Sequence, residues 1–128
     1  MLLLWKLKMA KHNVDGHIAE LAAKIFLTFK GYSIIRGNYK QQYKGFGVGE
    51  IDVIAVKKNT LVFMEVKKRA KISAALEAIS NNQRQRIIKG AEAFLKLNPS
   101  FANYNIRFDV FAFVNFFTFT HIKDAWRT

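Results

Sequence analysis

Two short runs of this chain bring carboxylates and a lysine together at a spacing suited to metal-assisted chemistry. They are Gly49-Glu50-Ile51-Asp52-Val53-Ile54-Ala55-Val56-Lys57 and Thr60-Leu61-Val62-Phe63-Met64-Glu65-Val66-Lys67. Both are rich in β-branched and apolar residues, and only Lys58-Asn59 separates them, a loop as short as a β-hairpin uses. With Lys57 paired to Thr60, Asp52 stands opposite Glu65 and Glu50 opposite Lys67. A side-chain period of two puts all four on one face. Directly opposed Cβ atoms lie roughly 4.5–5.5 Å apart, so the two carboxylates repel unless something compensates. A divalent cation held by hard oxygens is the natural compensation. Asp52, Glu65 and the Val66 carbonyl would suffice for Mg²⁺ (or Mn²⁺), which keeps several waters of its own. Lys67 would orient the attacking water or stabilise charge that develops in the transition state. Glu50 would steady Lys67 or a metal-bound water from one step further out. The rival readings are a solvated strand face for the acids and a plain Glu50–Lys67 cross-strand pair for the other two.

Composition favours an anionic partner. The 128 residues carry a formal charge of +12, from 21 Lys+Arg against 9 Asp+Glu. Nucleic acid is the first expectation and a membrane surface the second. In so basic a chain, acids gathered at Glu50, Asp52 and Glu65 look like a cation site in a positive surround. Lys68, Arg69, Lys71, Arg84, Arg86 and Lys89 are candidate phosphate contacts, with a merely solvated basic face as the alternative. Tyr43 and Phe46 in the glycine-containing loop are stacking candidates, with core packing the favoured reading. The absence of cysteine excludes disulfides, zinc-thiolate sites and a thiol nucleophile. No run approaches the ~18 apolar residues of a membrane span, and a cytoplasmic location is expected.

The elements that must position these groups follow from periodicity. Asp15–Phe29 reads as a helix with Ile18, Leu21, Ala22, Ile25 and Phe29 on its apolar face and Gly31 at its C-terminal stop. Residues 32–39 read as a strand, 41–49 as a turned, glycine-containing approach, and 50–57 and 60–67 as the hairpin. A linker follows Lys71. Ser80–Leu97 reads as a second helix with a capping box at Ser80 and Gln83, ended by Asn98-Pro99. Residues 105–115 and 116–122 read as closing strands. The order α-β-β-β-α-β-β predicts a single α/β domain over 1–128, a mixed sheet flanked by helices. Residues 1–12 match no element and read as a flexible or accessory N-terminus.

At this point the residues resemble a known family. The D…E-x-K pattern of Asp52, Glu65 and Lys67 resembles that of the PD-(D/E)xK nucleases, whose fold is the three-layer restriction-endonuclease-like one. Gly49-Glu50-Ile51-Asp52-Val53-Ile54 and Val62-Phe63-Met64-Glu65-Val66-Lys67-Lys68-Arg69 are closer still to the UPF0102 (YraN) family, itself similar to archaeal Holliday-junction resolvases. The resemblance extends over about residues 18–126. It includes Glu20-Leu21-Ala22-Ala23, Arg36-Gly37-Asn38-Tyr39, Arg86-Ile87-Ile88 and Ile106-Arg107-Phe108-Asp109-Val110. Ala19 stands where that family usually has glycine, and Gln83 where it has lysine. The resemblance implies a metal-dependent endonuclease acting on DNA, including branched or junction DNA, with a homodimer as the expected assembly. It further implies that Glu20 reaches the site as a third acid and metal ligand; the alternative is a simple i,i+4 pair with Lys24. A nucleic-acid-binding module with the same fold and little catalysis is the alternative function.

Overall fold

The computed structural model describes the backbone of residues 2–43 and 47–128, and the side chains of residues 16–41 and 49–128. Its elements are α1 (Leu2–Phe29), β1 (Ser33–Tyr43), β2 (Gly47–Lys57), β3 (Thr60–Lys68), α2 (Ile72–Glu77), α3 (Asn81–Leu97), a 3₁₀ turn (Pro99–Phe101), β4 (Asn105–Asn115) and β5 (Thr118–Trp126). The strands form one sheet in the order β1-β2-β3-β4-β5. Only the β3–β4 pair is parallel, and α2 and α3 make its crossover. The sheet is thus mixed and flanked by helices, as expected.

Each face of the sheet is buried by one helix. On one side Ile87, Ala91 and Phe94 of α3 pack on Ile51, Ile54, Leu61, Phe63, Phe108 and Val110. On the other, Ala19, Ala22, Ala23 and Leu27 of α1 pack on Val53, Ala55, Val62, Met64, Phe111 and Phe113. Covering on both faces explains why β3 reads Leu61-Val62-Phe63-Met64 without polar alternation. Aromatic edges tie the α3 layer together: Phe94 meets Tyr39 and Phe63 edge-on at 5.5 and 5.9 Å between ring centres.

Four local expectations change. The backbone of α1 begins at Leu2 rather than Asp15, so residues 2–12 continue the helix. Its buried stripe is the small-residue set Ala19, Ala22, Ala23 with Leu27, while Leu21, Ile25 and Phe29 are exposed. The alanines let the helix lie close on the sheet, which turns the bulkier residues outward. The stretch after Lys71 contains the short helix α2. The last strand runs later than expected, over Thr118–Trp126. Gly31 does stop α1: at φ 91°, it lets the Tyr32 N–H reach the Leu27 carbonyl at 2.9 Å and its own N–H reach Thr28 at 3.0 Å. Ser80 caps α3, accepting from the Gln83 N–H at 3.2 Å.

Candidate active site

The hairpin register is the one the loop length implies. Lys57 pairs with Thr60, and the ladder runs on to Val53 opposite Met64. There it stops, although both strands continue. Strict alternation would send Ile51 to the face of Val53, yet Ile51 packs in the α3 layer with Ile54. The strand therefore turns at Asp52. Three residues upstream, Gly49 is pressed on Gly90 of α3. A Cβ at Gly49 would stand 2.5 Å from the Gly90 nitrogen and 2.6 Å from its Cα. This glycine-to-glycine approach draws β2 toward α3 and away from β3.

The gap so created is the candidate site. The freed Val66 N–H donates to Asp52 Oδ2 at 2.8 Å, replacing a ladder bond with a carboxylate. A cleft of about 500 Å³ opens there, lined by Gly16, Ala19, Glu20, Asp52, Glu65, Val66, Lys67, Lys68 and Arg69. Glu65 is only 7 % exposed. Its carboxyl meets the Lys67 ammonium at 3.2 Å, and it lines the cleft together with Asp52. Burial, then the Asp52 charge, pushes Glu65 up to about 7, and Lys67 opposes both. Burial likewise raises Asp52; Glu20 adds to that, and the Val66 N–H and Lys67 work against it. The two acids therefore resist ionising together.

Glu20 lines the cleft from α1, facing Asp52 and Glu65 from a different layer. The Glu20–Lys24 pair does not form among the described residues. Lys24 instead lays its ammonium where a Cβ of residue 37 would stand, 2.5 Å from that position. Gly37 is thus glycine to admit Lys24 beside the strand that carries Asp52, a role that the sequence signals only as one glycine among seven.

Other expected site residues are placed elsewhere. Glu50 is exposed, does not line the cleft, and stands in register with Lys40 of β1. The early end of the β2–β3 ladder is the reason, and Lys67 takes Glu65 as its partner instead. Lys68 and Arg69 line the cleft, whereas Lys71 lies exposed just before α2. Arg84, Arg86 and Lys89 belong to α3, outside the cleft lining. Arg84 lies over the Trp126 ring at 5.7 Å, a packing role that does not require phosphate. The side chains of Tyr43 and Phe46 fall outside the described residues.

A second buried acid is structural. Asp109 is wholly buried. It accepts from Arg107 Nε and Nη2, each at 2.8 Å, from the Asp124 N–H at 3.0 Å, and shares a 2.7 Å bond with His121 Nε2. Burial alone would raise its carboxyl, but His121, Arg107 and the Asp124 amide together hold it below the usual range. Arg107 also donates to the Tyr32 hydroxyl at 2.7 Å, so the network ties β4 and β5 to the end of α1.

The donor set suits Mg²⁺ without forming a complete cage. Among the described residues no three His, Cys, Asp or Glu side chains are grouped closely enough to enclose a metal ion. Two adjoining carboxylates, with a third across an open cleft, match a cation that retains most of its waters. Among the described residues, no helix is long and apolar enough to cross a membrane.

Comparison with known proteins identifies the family. The model of the family described as "Uncharacterised protein family UPF0102" matches residues 19–113, a span that contains Glu20, Asp52, Glu65 and Lys67. A UPF0102 protein of Paramagnetospirillum magneticum is 39% identical over 112 residues, 88% of this chain and 86% of that one. One from Ehrlichia chaffeensis is 38% identical over 120 residues, 94% and 93% of the two chains. One from Rhodopseudomonas palustris is 44% identical over 94 residues, 73% and 68%. The chain belongs to the UPF0102 family.

Proposed function

We propose that this cleft hydrolyses phosphodiester bonds in nucleic acid, DNA in preference to RNA, with Mg²⁺ (or Mn²⁺) as cofactor. The observation that carries the reading is the Asp52–Glu65 pair: a half-buried and a buried carboxyl lining one cleft, with Lys67 against Glu65 and with Lys68 and Arg69 in the same lining. A structural role gives no return for that cost, because a buried pair of acids is destabilising unless a cation neutralises it. Asp52 and Glu65 would hold the metal, with Glu20 facing them and reaching it directly or through water. When bound, the metal supplies Lewis-acid polarisation of the phosphate and lowers the pKa of a bound water. Lys67, held against Glu65 at 3.2 Å, would stabilise the negative charge that builds on phosphate oxygens as water attacks in line. Lys68 and Arg69 would seat the flanking phosphates, and the charge of +12 would speed encounter with a polyanion.

The test is cleavage of labelled four-way junction, flap, single-stranded and duplex DNA, and of RNA, in Mg²⁺, Mn²⁺ and EDTA. Metal-dependent cutting that disappears in both Asp52→Ala and Lys67→Ala is the expected result. Metal-independent binding without cutting, left intact or tightened by Asp52→Ala, would instead identify a binding module that has kept the fold.

A further inference from the structure

Outside the cleft, the end of α1 and the turn joining β4 to β5 make an apolar face. Leu21 is 54 % exposed, Ile25 46 %, Phe29 86 %, Phe116 59 %, Phe117 98 % and Phe119 38 %. Between them lies a cavity of about 300 Å³, lined by Ala22, Ile25, Phe26, Phe29, Phe111, Phe116 and Phe119, with Lys30 at its edge. Phe117 does not line it. It projects beside it from the turn, where the Asn115 side chain accepts the Phe117 N–H at 2.9 Å and fixes the turn's shape. The face therefore carries a projecting aromatic knob next to an apolar hole large enough for one ring.

We propose that this face is closed by a second copy of the chain, related by a two-fold axis, with Phe117 of each protomer seated in the cavity of its partner. Three observations favour that occupant. A knob adjacent to a hole on one surface is what an isologous interface requires, since each element then meets the other across the axis. The area is of the right size. Aromatic side chains contribute roughly 150–250 Å² each. The exposed parts of the four phenylalanines, with Leu21 and Ile25, then approach the ~800 Å² per partner of a stable complex. The patch also exceeds the roughly 300–600 Å² that a typical monomer leaves uncovered. Finally, in a chain of charge +12 two copies repel over most orientations, and this face meets its mate with apolar residues at its centre. Phe116, Phe117 and Phe119 lie beyond residues 19–113 matched by the family model, so family membership does not account for them. The pairing is independent of the proposed chemistry, and Asp52→Ala is expected to leave it unchanged.

Sedimentation equilibrium on the full chain, over a concentration series, tests the pairing. The wild type should dimerise in the micromolar range or tighter. Phe117→Ser and Phe29→Glu should each weaken association roughly 100-fold or more, as loss of a central aromatic counted twice across a two-fold axis implies. Both positions are exposed in the single chain, so far-ultraviolet circular dichroism and the melting of dilute protein should not change. As a second readout, the chain has no cysteine. Mixing separately purified Phe117→Cys and Ile25→Cys proteins under mild oxidation should give a mixed disulfide dimer in preference to either self-pair. A wild type that stays monomeric, or a dimer indifferent to both variants, would overturn the proposal. So would a monomer that sediments with anionic phospholipid vesicles through Phe117 and Phe29; that outcome would assign the face to a lipid surface.

Discussion

Replacing Glu65 by glutamine should stabilise the metal-free protein, and only above the acid range. Holding the Glu65 carboxyl at about 7 rather than its ordinary 4.5 means that its ionised form is disfavoured in the fold by about 3 kcal/mol. The folded state then binds more protons than the unfolded one across this window. Unfolding free energy therefore falls as pH rises from about 4.5 to about 7, and the penalty is complete above that. Glutamine keeps the shape and abolishes the ionisation. It also gives up the charge-assisted contact with Lys67 at 3.2 Å, which offsets part of the gain. A net stabilisation of about 1–3 kcal/mol is expected near pH 8.5, shrinking toward zero near pH 5. Urea unfolding of the wild type and Glu65→Gln in EDTA at both pH values measures it directly. Millimolar Mg²⁺ should stabilise the wild type at the higher pH and leave Glu65→Gln almost unmoved, because the ion binds the folded carboxylate pair. A difference between the two proteins that is the same at both pH values would refute the reasoning. It would mean that Glu65 is ionised at no special cost, and the central argument for a cation site would go with it.

Two glycines separate a rigid contact from a soft one. Gly49→Ala drives a methyl into the backbone of α3 at Gly90 and should cost about 1–3 kcal/mol or more in urea or thermal unfolding. Gly37→Ala meets only the end of the Lys24 side chain and should cost less than about 1 kcal/mol. Asp109→Ala leaves Arg107 without its buried partner and should destabilise by about 3–5 kcal/mol near neutral pH. Because the Asp109 carboxyl is held low, its contribution in the wild type is present above its ordinary 3.8 and is lost as pH falls further. The wild-type advantage over the variant should therefore shrink in acid. Lys67→Met removes a charge that pulls both cleft carboxyls down, so Glu65 should titrate above about 7 when followed by side-chain carbon NMR.

Much of the fold is legible in the residue order because the signals are local. The Lys58-Asn59 loop sets the hairpin register, which then carries Val53 to Met64 without further information. Ser80 and Gly31 mark helix ends by bonds that close within a few residues. Asp52, Glu65 and Lys67 could be nominated because two acids at facing positions of one hairpin are costly wherever the rest of the chain lies. Family resemblance added Glu20, which no periodicity connects to the hairpin. The misassignments fall where a distant surface decides. Leu21, Ile25 and Phe29 keep helical spacing with the buried residues of α1, but the sheet accepts the alanine side because alanines permit close approach. Glu50 continues the hairpin alternation, yet Gly49 meets Gly90 forty-one positions later in the chain and ends the pairing first. The sequence by itself thus determined the hairpin strands and their register, and it nominated the facing acids, all consequences of short-range geometry. Only the tertiary structure decided that the strands part at Asp52, that α1 brings Glu20 to the gap, and that Lys67 serves Glu65 rather than Glu50. Those outcomes depend on which faces of remote elements can touch, and packing between layers is not written in any local spacing.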